Sequence, residues 1–132
     1  MEPQNTTDTT KKKVLVIDDD ENLTTVLVDK LKLSGFDADN ASDGALGLKK
    51  ALETRPDVIL LDVKMPNMSG WETLEKLRVD EWGEKVKVIM LTSLDKPETI
   101  AHAVEEGSTV FIVKSSYTLD QVVEKVKEVL HS

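Results

Sequence analysis

The sequence contains no cysteine, which removes a disulfide framework, a thiolate nucleophile and any cysteine-ligated zinc or iron–sulfur centre from consideration. Redox compartment stays open, with the cytoplasm favoured. Aromatic residues make up only 4% of the chain, so Val, Leu, Ile and Ala must build the interior, as suits a parallel sheet. No run approaches the ~18 apolar residues of a membrane span, and the polar N-terminus has no apolar segment of signal-peptide type. A non-exported protein with no membrane insertion is expected. Bases are scarce relative to acids: 17 against 25, for a formal net charge of -8. That balance argues against direct, sequence-independent binding to nucleic acid through phosphate neutralisation. What remains is a chain of 132 residues, 39% hydrophobic and 32% charged, with room for one soluble domain and its core.

Residues 1–10 carry threonines, Asn, Gln, Pro and two acids without apolar periodicity, and are expected to form a disordered polar tail. Residues 11–132 are expected to form the domain. Val14 to Ile17 is a short apolar run ending in Asp18, Asp19 and Asp20, the mark of a buried strand with acids at its carboxyl end. A helix follows, capped by Asp19 or Asp20, with Leu23, Val26, Leu27 and Leu31 at helical spacing and Ser34-Gly35 as its stop. Phe36 to Asn40 reads as a weak strand near an edge. The second helix starts near Ser42 or Asp43, runs through Ala45, Leu48 and Leu52 and ends before Pro56, with Gly44 and Gly47 weakening it. Val58 to Leu61 is an unbroken apolar run that stops at Asp62, followed by a Pro66-Asn67 and Ser69-Gly70 loop. It reads as a central strand. Ser69 and Glu72 have capping-box spacing, and Trp71, Leu74 and Leu77 give the third helix its stripe. Val86 to Leu91 is the fourth strand, ending at Thr92-Ser93. Pro97 and Gly107 bracket a fourth helix with Ile100, Ala101, Ala103 and Val104. Val110 to Val113 is the last strand, ending at Lys114, and a second capping box, Thr118 and Gln121, opens the closing helix.

Five βα units of this kind call for an α/β fold, a doubly wound all-parallel sheet with helices on both faces. Every strand's carboxyl end then faces one side, so Asp18, Asp19, Asp62, Thr92 and Lys114 converge on one rim, where ligands of such folds bind. Clustered carboxylates repel unless a cation sits among them, and magnesium suits oxygen ligands beside phosphate oxygens. An ionised Asp62 can attack phosphorus and form an aspartyl phosphate. The transferring group spreads charge over three oxygens, which a metal, a hydroxyl such as Thr92 and an ammonium such as Lys114 can each take. Singly, each residue has a plainer reading: Asp18 to Asp20 as cap and turn, Thr92 as a turn residue, Lys114 as a solvated lysine. Their coincidence decides for chemistry. His102 and His131 are expected to face solvent.

Four motifs in order, Val-Leu-Val-Ile-Asp-Asp-Asp (14–20), Leu-Leu-Asp-Val-Lys-Met-Pro-Asn-Met-Ser-Gly (60–70), Val-Ile-Met-Leu-Thr-Ser (88–93) and Phe-Ile-Val-Lys (111–114), resemble the receiver domain of bacterial response regulators. The resemblance covers about residues 11–131. It implies a flavodoxin-like fold with strand order 2-1-3-4-5, a type for which a chemotaxis member of this family is a standard example. It implies Asp62 as phosphoacceptor, and magnesium held by Asp18, Asp19, Asp62 and the backbone carbonyl of Lys64. Thr92 and Phe111 would be switch residues, with Lys114 pairing to the phosphoryl group. The implied partners are a histidine kinase or phosphotransfer protein, and a downstream protein that reads the face of the fourth helix, last strand and closing helix. Such a protein is cytoplasmic and not an enzyme beyond its own phosphorylation and dephosphorylation. A starting Met1 and an untidy tail favour a complete single-domain regulator.

The chain departs from the family after Lys114, where Ser115-Ser116 replaces the usual proline with its cis bond; this loop is expected to be trans or strained. Lys64 and Leu94 occupy positions that tune dephosphorylation, and are expected to slow the approach of water. Two rivals stand beside the receiver. A haloacid-dehalogenase-like phosphatase would use Asp18 as nucleophile and Asp20 as acid/base, but leaves Asp62 and the Met65-Pro66 loop idle. A degenerate receiver would bind partners without phosphate. Flavin binding is disfavoured by acids in the first βα loop.

Overall fold

The apolar runs form the strands of one sheet because each is short, rich in aliphatic side chains and closed by a turn or a helix cap. A computed structural model describes residues 11–93 and 110–131. The order is β1 (Lys13–Ile17), α1 (Glu21–Leu33), β2 (Asp37–Ala41), α2 (Gly44–Thr54), β3 (Val58–Asp62), α3 (Gly70–Val79), β4 (Lys87–Thr92), β5 (Val110–Val113), a 3₁₀ turn (Lys114–Ser116) and α4 (Leu119–His131). The five strands pair in parallel in the order β2-β1-β3-β4-β5, as the resemblance implies. The helix expected between Pro97 and Gly107, Leu94, His102 and the tail of residues 1–10 lie outside the described residues.

Strand periodicity divides the core in two. Val14 and Val16 of β1, Val58 and Leu60 of β3, and Ile89 and Leu91 of β4 pack with Leu27, Leu31, Val122, Val123 and Val126, on the side of α1 and α4. Their neighbours Leu15, Ile17, Ile59, Leu61, Val88 and Met90 pack with Ala51, Leu74 and Leu77, on the side of α2 and α3. Every residue of β3 is buried, as a strand covered on both faces must be.

The helix ends follow the capping chemistry closely. Asp20 caps α1 by accepting from Leu23 N, Asp43 caps α2 by accepting from Leu46 N, and Ser69 caps α3 by accepting from Glu72 N. The second capping box is reciprocal: Thr118 N donates to Gln121 Oε1 at 2.8 Å and Gln121 N donates to Thr118 Oγ1 at 3.1 Å. Gly35, at φ 95°, closes α1 with Phe36 N donating to Leu31 O and Gly35 N to Lys32 O, a Schellman arrangement.

Two helix stripes differ from expectation. In α1 the buried residues are Thr24, Leu27, Val28 and Leu31, whereas Val26 is 45% exposed. Thr24 can be buried because its hydroxyl donates to Asp20 O within the helix. In α2 the inward residues are Gly44, Gly47 and Ala51, and Ala45 and Leu52 face out. The glycines are there for approach: a Cβ on Gly47 would lie 2.6 Å from Ile17 Cδ1, and one on Gly44 would strike Thr73 Oγ1. Where backbone must come close, the smallest residue forms the stripe.

Candidate functional site

Parallel register builds the site. Ile17 stands opposite Leu61, so the next residues, Asp18 and Asp62, leave adjacent strands on the same rung. Asp62 pairs with Leu91, and Thr92 with Val113, so Thr92 ends β4 one residue beyond and Lys114 follows β5 directly. All the strand-end residues named from the sequence therefore share one rim, as their positions in the βα units dictate.

Within that rim Asp18, Asp19 and Asp62 each offer a carboxylate oxygen, and the three lie within 4.8 Å of one another. Asp18 and Asp62 are buried, at 2% and 6% exposure, while Asp19 faces solvent. Asp18 is fixed twice: its Oδ1 accepts from Asp20 N at 3.0 Å and its Oδ2 accepts from Lys114 Nζ at 2.9 Å. The same ammonium lies 3.5 Å from Asp62 Oδ1. Burial, and next the charge of Asp18, push the Asp62 carboxyl up to about 7, with Lys114 opposing the shift. Burial works to lower the pKa of Lys114, but its hydrogen bond to Asp18 and the charge of Asp62 outweigh it and raise the value. One ammonium thus balances two buried carboxylates and leaves a third beside them, a deficit of positive charge in a set of hard oxygen donors. That donor set fits magnesium, which takes carboxylate oxygens and keeps waters for its other positions.

Several other residues take definite places. Lys64 lies two positions beyond Asp62 with an exposed side chain. Phe111, half-buried in β5, packs against the core on the side of α2 and α3. No described peptide bond is cis, so Lys114–Ser115 is trans, and a 3₁₀ turn carries Lys114 inward. His131 is exposed, as expected. Asp20 is not part of the cluster; its carboxylate caps α1.

Sequence reasoning missed the role of Gly70. Its N–H donates to Val63 O at 2.8 Å, and a Cβ there would strike Asp62 O and come 2.8 Å from Val63 Cα. Glycine lets the loop after β3 fold back on the strand end and hold Asp62 in place. The signal was present as Ser69-Gly70, but capping alone had seemed to explain it.

Comparison with known proteins agrees with this geometry. Residues 14–127 match the model of the response regulator receiver domain. The transcriptional regulatory protein PrrA of Mycobacterium leprae is 36% identical over 100 residues, 76% of this chain and 42% of that protein. The alkaline phosphatase synthesis transcriptional regulatory protein PhoP of Bacillus subtilis is 36% identical over 110 residues, 83% of this chain and 45% of that protein. This chain thus spans less than half the length of these relatives. Among solved structures, the Vibrio cholerae chemotaxis protein CheY4 superposes with a TM-score of 0.85 at 29% identity, over 91% of this chain and 99% of that one. The chain belongs to the response regulator receiver-domain family of two-component signalling.

Proposed function

We propose that this domain is a phosphorylation-operated switch, with Asp62 as the phosphoacceptor. The observation that carries the reading is the single rim on which Lys114 reaches both Asp18 and Asp62 while three carboxylates crowd within 4.8 Å. An oxygen of the Asp62 carboxylate attacks the phosphorus of a phosphohistidine on a kinase or phosphotransfer protein. The phosphorus–nitrogen bond breaks, its electron pair stays with the imidazole nitrogen, and the aspartyl phosphate forms. Burial favours the protonated, unreactive form of Asp62, so the site must hold positive charge to keep the nucleophile ionised. Lys114 supplies part of it and is placed to take one phosphoryl oxygen, and Thr92 at the end of β4 supplies a hydroxyl for another. Magnesium, held by Asp18, Asp19, Asp62 and the Lys64 carbonyl, would neutralise charge on the remaining oxygen.

The phosphoryl group adds charge at the ends of β3 and β4, and Thr92 and Phe111 respond by moving toward it. A downstream protein then reads the face that includes β5 and α4. A phosphatase built on Asp18 gains no support, because Asp20, its required acid/base, is spent as a helix cap.

The test is intact mass after incubation with acetyl phosphate and magnesium. Wild type gains one phosphoryl group, Asp62→Ala gains none, and Asp18→Ala gains far less in the same time. An adduct that survives Asp62→Ala but needs Asp18 overturns the reading in favour of the phosphatase. No adduct on folded wild-type protein overturns it in favour of a receiver that works without phosphate.

A further inference from the structure

At the opposite edge of the sheet, where the strands begin, the loops that enter β3 and β4 border two shallow, open, adjoining clefts of about 290 and 410 Å³ that share Arg55, Trp82 and Lys85. Lys12, Lys87 and Leu130 are among the other residues that line the first cleft. In a chain of net charge -8, this places four cationic side chains around one aromatic ring. Lys87 is engaged, donating to Val129 O at 2.6 Å. Lys12, Arg55 and Lys85 are exposed, and no side-chain partner holds them among the described residues. Two acids also line the clefts, but Asp57 already accepts from Lys13 N at 2.7 Å, and Glu81 touches only the second cleft.

Hydrogen bonds and core packing hold the frame of this site. Trp82 packs against the core on the side of α2 and α3 yet lines both clefts. Its loop is tied on three sides: Gly83 N donates to Asp80 Oδ2 at 2.9 Å, and Arg78 Nη1 donates to Gly83 O and Val86 O, each at 2.7 Å. Arg55 is held in the left-handed region at φ 49°, between the end of α2 and the buried Pro56. A non-glycine residue seldom takes that conformation, and such positions recur where a side chain must be aimed.

We infer that these clefts form a second ligand site that takes an aromatic anion of mononucleotide class, its ring against Trp82 and its phosphate between Arg55 and Lys85. A guanidinium and an ammonium with no side-chain partner among the described residues provide charge-assisted bonds to phosphate oxygens, and indole is a good stacking surface for a base. Each cleft is at the small end of ordinary ligand pockets, about 300 Å³ upward, so one can take the ring and its neighbour the phosphate. The site lies at the end of β1 and β3 remote from Asp62, and does not depend on phosphorylation.

The probe is AMP, titrated into ¹⁵N-labelled protein in EDTA so that no metal recruits phosphate to the acidic rim. The expected result is saturable shifts at the Trp82 indole N–H and at the Arg55 and Lys85 amides. Adenosine and inorganic phosphate alone should each bind about tenfold more weakly or worse, since each lacks one half of the contact. Arg55→Gln and Lys85→Gln, both at exposed positions, should weaken AMP by about tenfold each with the rest of the spectrum unchanged. Shifts confined to the Asp62 rim, shifts that do not saturate, phosphate binding as tightly as AMP, or an unchanged affinity in Arg55→Gln would each overturn the proposal.

Discussion

Asp62 carries an electrostatic cost in the fold. Its carboxyl has an ordinary value of 3.8 and is raised to about 7 in the fold, first by burial and then by Asp18. Between these two values the native state keeps a proton that the unfolded chain has lost. Stability is therefore highest below about pH 4 as far as this group is concerned, and falls as pH rises toward 7. Asp62→Asn removes the charge, so at pH 8 the variant should be more stable than wild type by up to about 4 kcal/mol, at ~1.4 kcal/mol per pKa unit. At pH 4 the difference should nearly vanish. Denaturant unfolding at the two pH values checks this, and an equal gap at both would contradict the assignment of Asp62 as the strained acid. From sequence, Asp62 was visible as an acid closing an apolar run. The size of its burial was not, because that depends on the segments that folding packs around the strand end.

In the helices, propensity and packing pull apart. Gly47 costs α2 about 1 kcal/mol of intrinsic stability relative to alanine, so an isolated helix would gain from Gly47→Ala. In the protein the new Cβ would sit 2.6–2.8 Å from three carbons of Ile17, and the variant should be less stable by about 1–3 kcal/mol. Gly35→Ala is a useful contrast: open space surrounds it, but φ is 95°, so only backbone strain of about 1–2 kcal/mol applies. Thermal unfolding of the two variants should show both losses, and repacking of Ile17 only in the first. At α4, Thr118→Ala breaks one half of the reciprocal box and should cost about 1 kcal/mol, read from the denaturation midpoint. The Ser69 cap and the Thr118–Gln121 box were legible in sequence because they are local. The stripe of α2 was not, since glycine at a helix–sheet contact looks identical to glycine that merely weakens a helix.

For the molecule as a whole, a metal bound at the acidic rim would couple its binding to folding. If magnesium binds the native cluster and not the unfolded chain, stability rises as RT ln(1 + [Mg]/Kd), about 2.7 kcal/mol at a hundredfold excess over Kd. The melting temperature of wild type should climb with magnesium at pH 8, and Asp19→Asn and Asp62→Asn should flatten the climb. Calcium-free buffers isolate the effect. An equal climb in both variants would place the ion elsewhere.

The sequence by itself determined the sheet, because four short aliphatic runs and one weak strand, separated by helix-length segments, leave a parallel doubly wound topology as the economical way to bury them. It also determined which residues stand at strand ends, since that is a matter of where each apolar run stops. Tertiary structure decided what those residues do to one another. That Lys114 rests 2.9 Å from Asp18 and 3.5 Å from Asp62 depends on distances between strands far apart in the chain. Local chemistry specifies strand runs and caps within a few residues; electrostatic balance is a property of groups that only folding brings together.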